Sequence, residues 1–204
     1  MATATATARP VPALAPPPKP RRPRVLFVGT AFTAAAVVMG FLGLIALYVT
    51  VRQKALADTG AWLPDGAVIP LTAPNVAMAT LLMSAVTLQW AIYAVGNRDR
   101  TNAYLALGLT LLLGLAFANS TAYLYSQMGL VIADSAPGVL IYAISGAHLV
   151  LTASALLFIG VVALRALGGE YTPRDHEGMS AAALFWYATI AVYAVIWYTI
   201  FITK

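Results

Sequence analysis

The sequence predicts an all-α membrane protein of five transmembrane helices, and three observations carry that expectation. Of its 204 residues 61% are apolar and only 9% charged, with a mean hydropathy of +0.82. A soluble domain carries roughly a quarter charged and about half apolar residues, so this chain lacks the polar surface to cover a water-exposed globule. Its seven acids (Asp58, Asp65, Asp99, Asp134, Glu170, Asp175 and Glu177) fall between five stretches free of Lys, Arg, Asp and Glu, at 25–51, 66–97, 101–133, 135–164 and 178–203. Each stretch exceeds the ~20 residues a helix needs to cross ~30 Å of hydrocarbon. The apolarity is also continuous, whereas barrel strands alternate. The absence of cysteine removes disulfide scaffolds, thiolate metal sites, iron–sulfur clusters and cysteine nucleophiles.

Residues 1–24 differ in kind: an Ala/Thr repeat precedes seven prolines and five basic residues, among them Arg21, Arg22 and Arg24. Such a segment buries too little apolar surface to offset its ordering entropy, so it is expected to be a disordered arm, with 25–204 forming the membrane domain. A signal peptide ending at Ala55-Leu56-Ala57 fits less well, because the 27-residue apolar run is longer than the about 7–15 residues of a secretory core. The net charge of +5 then reads as orientation and anionic lipid rather than nucleic acid. Nine of the twelve basic residues lie in the N-terminal segment and the second and fourth connections, against Arg52, Lys54 and Lys204 on the other side. That bias puts the N-terminus in the cytoplasm and the C-terminus outside.

Helix 1 is expected over about 25–51, with Gly40 and Gly43 offering a face for close approach. Helix 2 is expected from Pro74, which suits a first turn, to Gly96-Asn97. Helix 3 runs from about Asn102 to Tyr125 and is unusually polar from Asn119 onward; helix 4 starts after Pro137 and ends near Leu167; helix 5 covers about Ser180–Ile202. The aromatic residues suit interfacial belts, Trp197, Tyr198, Trp62 and Tyr48 on the outer side and Trp186 and Tyr187 on the inner.

His148 on helix 4 is the side chain of Asp, Glu, His, Lys or Arg type expected deep in a span, one turn after Ser145. An ionisable residue there is a functional candidate, and the plainer reading is a neutral imidazole hydrogen-bonded across helices. A bis-histidine haem needs a second ligand in the bilayer, yet His176 lies in a connection. Proton and cation paths through helices normally use carboxylates, and no span has one. Phosphate-loop, His-Glu-x-x-His and Gly-x-Ser-x-Gly motifs are also missing. The charged loop 170–177 reads as a solvated connector or, second, as a docking point for a partner subunit.

The order of short signals resembles subunit III of the haem–copper (cytochrome c) oxidases, in a divergent, five-helix bacterial form. Helix 1 ends in Tyr48 and Arg52, and Trp62-Leu63-Pro64-Asp65-Gly66 is similar to the family's Trp-x-Pro-x-Gly. Leu81-Leu82-Met83-Ser84-Ala85-Val86-Thr87 is similar to its Leu-Leu-x-Ser-Ser-x-Thr, and Leu112 to Phe117 followed by Tyr123-x-Tyr125 fits its third helix here. Gly146-Ala147-His148 resembles half of Thr-Gly-x-His-Gly-x-His, and Phe185-Trp186-Tyr187 the start of Tyr-Trp-His-Phe-Val-Asp. The chain departs at five ionisable positions: Val37 and Leu124 stand where the family has membrane glutamates, Ser145 replaces a histidine, and Tyr187 and Ile190 replace a His and an Asp.

The resemblance implies an accessory, non-redox subunit packed on catalytic subunit I in the bacterial plasma membrane. Haems and copper would sit in partner subunits, so no catalytic, cofactor or metal residue is expected here. It implies a first helix splayed from a bundle of helices 2–5, with phospholipid in the cleft near Arg52, Tyr125, His148 and Trp186. Competing readings are the subunit III-like companion of a nitric oxide reductase, a small transporter and a membrane cytochrome. A transporter predicts an internal repeat or helices broken near the midplane, neither of which is visible.

Overall fold

The computed structural model describes residues 24–64, 66–130, 135–172 and 175–203. The expected N-terminal arm, Asp65, Asp134, Arg174 and Lys204 lie outside them. Five helices follow in order: α1 (Val25–Thr59), α2 (Thr72–Gly96), α3 (Arg100–Gln127), α4 (Ala136–Leu167) and α5 (Glu177–Ile196), the last continuing as a π-helical segment, Trp197–Ile202. All five are long and apolar enough to cross a membrane.

The starts and stops have local causes. Asp99 caps α3 by accepting the Asn102 N–H at 3.1 Å, and Ser135 caps α4 by accepting the Gly138 N–H at 3.2 Å. Pro137 therefore sits inside the first turn of α4, where its missing N–H costs nothing. α1 runs eight residues past the expected end at Val51, because Arg52 and Lys54 sit among good helix formers and do not stop a helix. It ends at Gly60, whose left-handed φ of 72° lets its N–H reach the Leu56 carbonyl at 3.0 Å.

α1 and α5 lie side by side and point the same way. The Phe27 N–H donates to Glu177 Oε1 at 3.0 Å where both helices begin, and Arg52 reaches Thr203 where both end. We call these the near and far ends. The α2–α3 and α4–α5 connections belong to the near end and the α1–α2 connection to the far end. The first helix is thus not splayed from α5, as the resemblance implied, but docked along it; it touches α4 more lightly. α1 has no capping side chain of its own, so Glu177 supplies the missing acceptor for its N-terminus.

Two cores form. The near core joins α2, α3, α4 and α5 through small residues, Ala77, Ala91, Ala94, Ala103, Ala106, Ala155 and Ala182, which let the backbones approach closely. The far core adds Phe41, Ile45 and Tyr48 of α1 and Trp62 and Ile69 of the α1–α2 connection to the ends of α3, α4 and α5. α1 contributes no residue to the buried set of the near core. Gly40 and Gly43, expected to mark close approach, face open space; the tight glycines are Gly114 of α3, where a Cβ would overlap Leu156 of α4, and Gly178 of α5, where one would lie 2.6 Å from the Tyr171 hydroxyl oxygen.

Candidate functional site

His148 sits where α1, α3, α4 and α5 meet. Its Nε2 lies 3.0 Å from the Thr189 carbonyl oxygen of α5. A carbonyl only accepts, so Nε2 carries the hydrogen, while Nδ1 faces Thr152 at 3.5 Å. Phe41 of α1 and Phe117 of α3 meet the imidazole edge to face, with ring centroids at 6.1 and 5.6 Å, and Tyr193 of α5 lies tilted against it at 5.2 Å. The ring is 1% exposed. Among the described residues no acid approaches it, and a lone buried charge would be very costly, so the imidazole is a neutral cross-helix donor.

The void beside it, lined by Phe117, Thr121, Leu124, Ser145, His148, Tyr193, Ile196 and Phe201, measures about 10 Å³. That is room for about one water, so no haem or substrate fits. Tyr125 and His148 are linked only indirectly: the Tyr125 hydroxyl bonds Ser145 Oγ at 2.9 Å, one turn before His148, and Ser145 donates to the Ile141 carbonyl at 2.5 Å.

Trp186 belongs to the other core. It is fully buried, and its indole N–H donates to Ser84 Oγ of α2 at 3.0 Å. Arg52 lies apart at the far end, half-buried, with Nη1 3.3 Å from Thr203 Oγ1, Nη2 on the Thr203 carbonyl, and Nε buried without a partner. The four residues assigned to a lipid cleft therefore do not converge. His148 and Trp186 are interior packing groups, while Arg52 and Tyr125 keep partial exposure.

The aromatic belts need the same correction. Tyr48 is fully buried, accepts the Trp62 indole N–H at 3.1 Å and stacks edge to face with it, so this pair closes the far core instead of anchoring at an interface. On an exposed flank, Trp90 and Tyr93 of α2 share a shallow groove with Tyr187, whose hydroxyl donates to Gln89 Oε1 at 2.9 Å.

Several interior polar groups carry no charge and so attract little notice in the sequence. Thr87 of α2 and Thr110 of α3 share a hydrogen bond at 2.8 Å inside the near core, and Ser120 donates to the Ala73 carbonyl at 3.1 Å. The readable signal was the i, i+3 spacing of Ser84 and Thr87 in an otherwise apolar helix, which puts both on one face. The replaced positions are equally informative. Leu124 is 2% exposed in the far core, and Val37 packs on the edge of the same core. Ile190 lies in the near core. Among the described residues no group of three or more His, Asp or Glu side chains could hold a metal ion.

The model of the family described as cytochrome c oxidase subunit III matches residues 25–204, which is the whole helical region. The chain belongs to that family. Curated subunit III proteins are similar to it as well: 35% identity over 130 residues with that of Gallus gallus (63% of this chain, 50% of the relative). The Cyprinus carpio protein is 31% identical over 144 residues (70% and 55%), and the Drosophila yakuba protein 32% over 143 residues (69% and 55%). The chain spans about half the length of the curated relatives it matches. As a subunit III family member with five membrane-crossing helices, it is a multi-pass membrane protein.

Proposed function

We propose that this chain is the accessory, non-redox subunit III of a bacterial terminal respiratory oxidase. It packs on catalytic subunit I in the plasma membrane, with the N-terminus cytoplasmic and the C-terminus outside. Haems and copper belong to the partner subunits, and this chain stabilises the complex without catalysing a step. The observation that carries the reading is the family match across all five spans. A helical interior closed by neutral hydrogen bonds and apolar side chains supports it, because such an interior offers no carboxylate to carry protons or cations.

Arg52 is the residue proposed to hold phospholipid. Its guanidinium sits at a helix end near the bilayer boundary, and its fork of donors suits a lipid phosphate. Tyr125 lines the same far end. The test is gentle solubilisation of native membranes and capture through a tag on this chain. Haem absorbance and oxygen consumption should co-elute, and Arg52→Gln should lower the phospholipid retained. A haem-free, monodisperse monomer would overturn the reading.

A further inference from the structure

At the near end, the α2–α3 and α4–α5 connections border a half-open pocket of about 400 Å³ lined by Val95, Arg98, Arg100, Ala103, Tyr104, Ala166, Tyr171 and Thr172, with both arginines exposed. That volume falls within the roughly 300–1,000 Å³ of small-ligand pockets. Among the described residues, its lining holds two guanidinium groups and no carboxylate.

Three of the four nearby acids are occupied elsewhere; the fourth, Asp175, flanks the lining with its backbone bridged to that of Thr172 at 3.1 Å. Asp99 caps α3 through Asn102, whose backbone and side-chain donors hold its carboxyl below the usual range. Glu170 bonds Arg165 at 2.6 Å, and Glu177 takes the Phe27 N–H. Among the described residues neither Arg98 nor Arg100 has an ion-pair partner.

Arg98 is the left-handed residue (φ 60°) of the cap that ends α2: its N–H bonds the Val95 carbonyl at 3.1 Å and the Asp99 N–H bonds the Ala94 carbonyl at 2.9 Å, which fixes where the loop turns. Gly169, with φ of 77°, brings the opposite loop against Arg100: a Cβ there would lie 3.6 Å from Nη1. The Tyr171 hydroxyl is buried without a partner.

We propose that this cavity binds a phosphate group, as presented by an anionic phospholipid headgroup at the membrane boundary. Guanidinium forks match phosphate oxygens two at a time, and basic pockets between transmembrane helices suit anionic headgroups. The site lies at the opposite end from Arg52 and does not depend on the oxidase reading.

The test titrates the purified full chain, with whatever subunits accompany it, using dihexanoyl-phosphatidylglycerol, inorganic phosphate and dihexanoylglycerol, which lacks the phosphate. Calorimetry should show the anionic lipid binding and dihexanoylglycerol not. Arg98→Gln with Arg100→Gln should weaken binding at least tenfold, while Lys54→Gln, exposed on α1 at the far end, should change it less than twofold. Wild-type affinity should also fall at least fivefold between 50 and 300 mM NaCl, a measurement that needs no variant. Inorganic phosphate binding as tightly as the lipid would support the site and name free phosphate as its ligand. Equal binding by the double variant, equal binding of dihexanoylglycerol, or binding indifferent to salt would overturn the proposal.

Discussion

α1 and α5 are parallel neighbours of opposite character. Only 22% of the most apolar window of α1 is buried inside the chain, against 56% for α5. Phe32 and Met39 of α1 are each 74% exposed, whereas Trp186, Ile196 and Ile200 of α5 are fully covered. Yet that window of α1 is the more apolar of the two. In water that order would be reversed. In a bilayer, lipid tails are as apolar as leucine, so apolarity marks the outside and hydroxyls, indoles and imidazoles mark where helices grip one another. α5 carries those grips: Thr189 to His148, Trp186 to Ser84, Tyr193 to the Pro74 carbonyl at 3.4 Å and Trp197 to Asn75 at 2.9 Å.

The sharpest way to break this contrast is to truncate one large side chain on each helix. Trp186→Ala should cost about 3–5 kcal/mol and leave little folded protein, while Phe32→Ala should leave the melting temperature unchanged in detergent. Equal effects would mean α5 is not the hub. Replacing His148 by Ala should cost about 1–3 kcal/mol by removing the donor that ties α4 to α5, with haem content and turnover of the assembled complex unchanged. Loss of haem in that variant would reassign the residue to chemistry.

Glycine substitutions come next. Gly114→Leu should destabilise by about 1–3 kcal/mol, because Leu156 fills the space, whereas Gly40→Leu on α1 should have no effect on thermal unfolding. Cutting the two latches of α1 with Glu177→Ala and Arg52→Ala should lower stability by about 1 kcal/mol each. Spin-label distances between α1 and α5 should then broaden while those between α2 and α3 stay narrow. The smallest change belongs to neither helix. Asp99→Ala should lower the melting temperature slightly, and only above the carboxylate range. The Asp99 carboxyl is held below its unfolded value by Asn102, so its contribution is present above about pH 4 and disappears as pH falls through the folded value.

Much of this was legible in the sequence. Charge-free stretches located all five helices, and α2, α3 and α4 begin within about two residues of the expected starts at Pro74, Asn102 and Pro137. The family signals pointed to the right relatives. Composition could not reveal depth. Tyr48, Trp62 and Trp186 look like interfacial anchors because their types favour interfaces, yet tertiary contacts bury all three. Charge does not mark the end of α1, because a long basic side chain can leave the apolar zone while its backbone stays helical. Only the fold shows that Leu124 and Val37, at two positions where the family keeps acids, meet the same far core.

The double latch on α1 has a mechanical consequence. Its 27-residue charge-free run extends about 40 Å as a helix, some 10 Å more than the ~30 Å thickness of the hydrocarbon layer. A free helix relieves such hydrophobic mismatch by leaning, but α1 is clamped to α5 at both ends and leans only as the whole bundle does. The latches thus couple any lean of α1 to a lean of the whole bundle, so a thinner bilayer is met by the bundle as a unit and not by that helix alone.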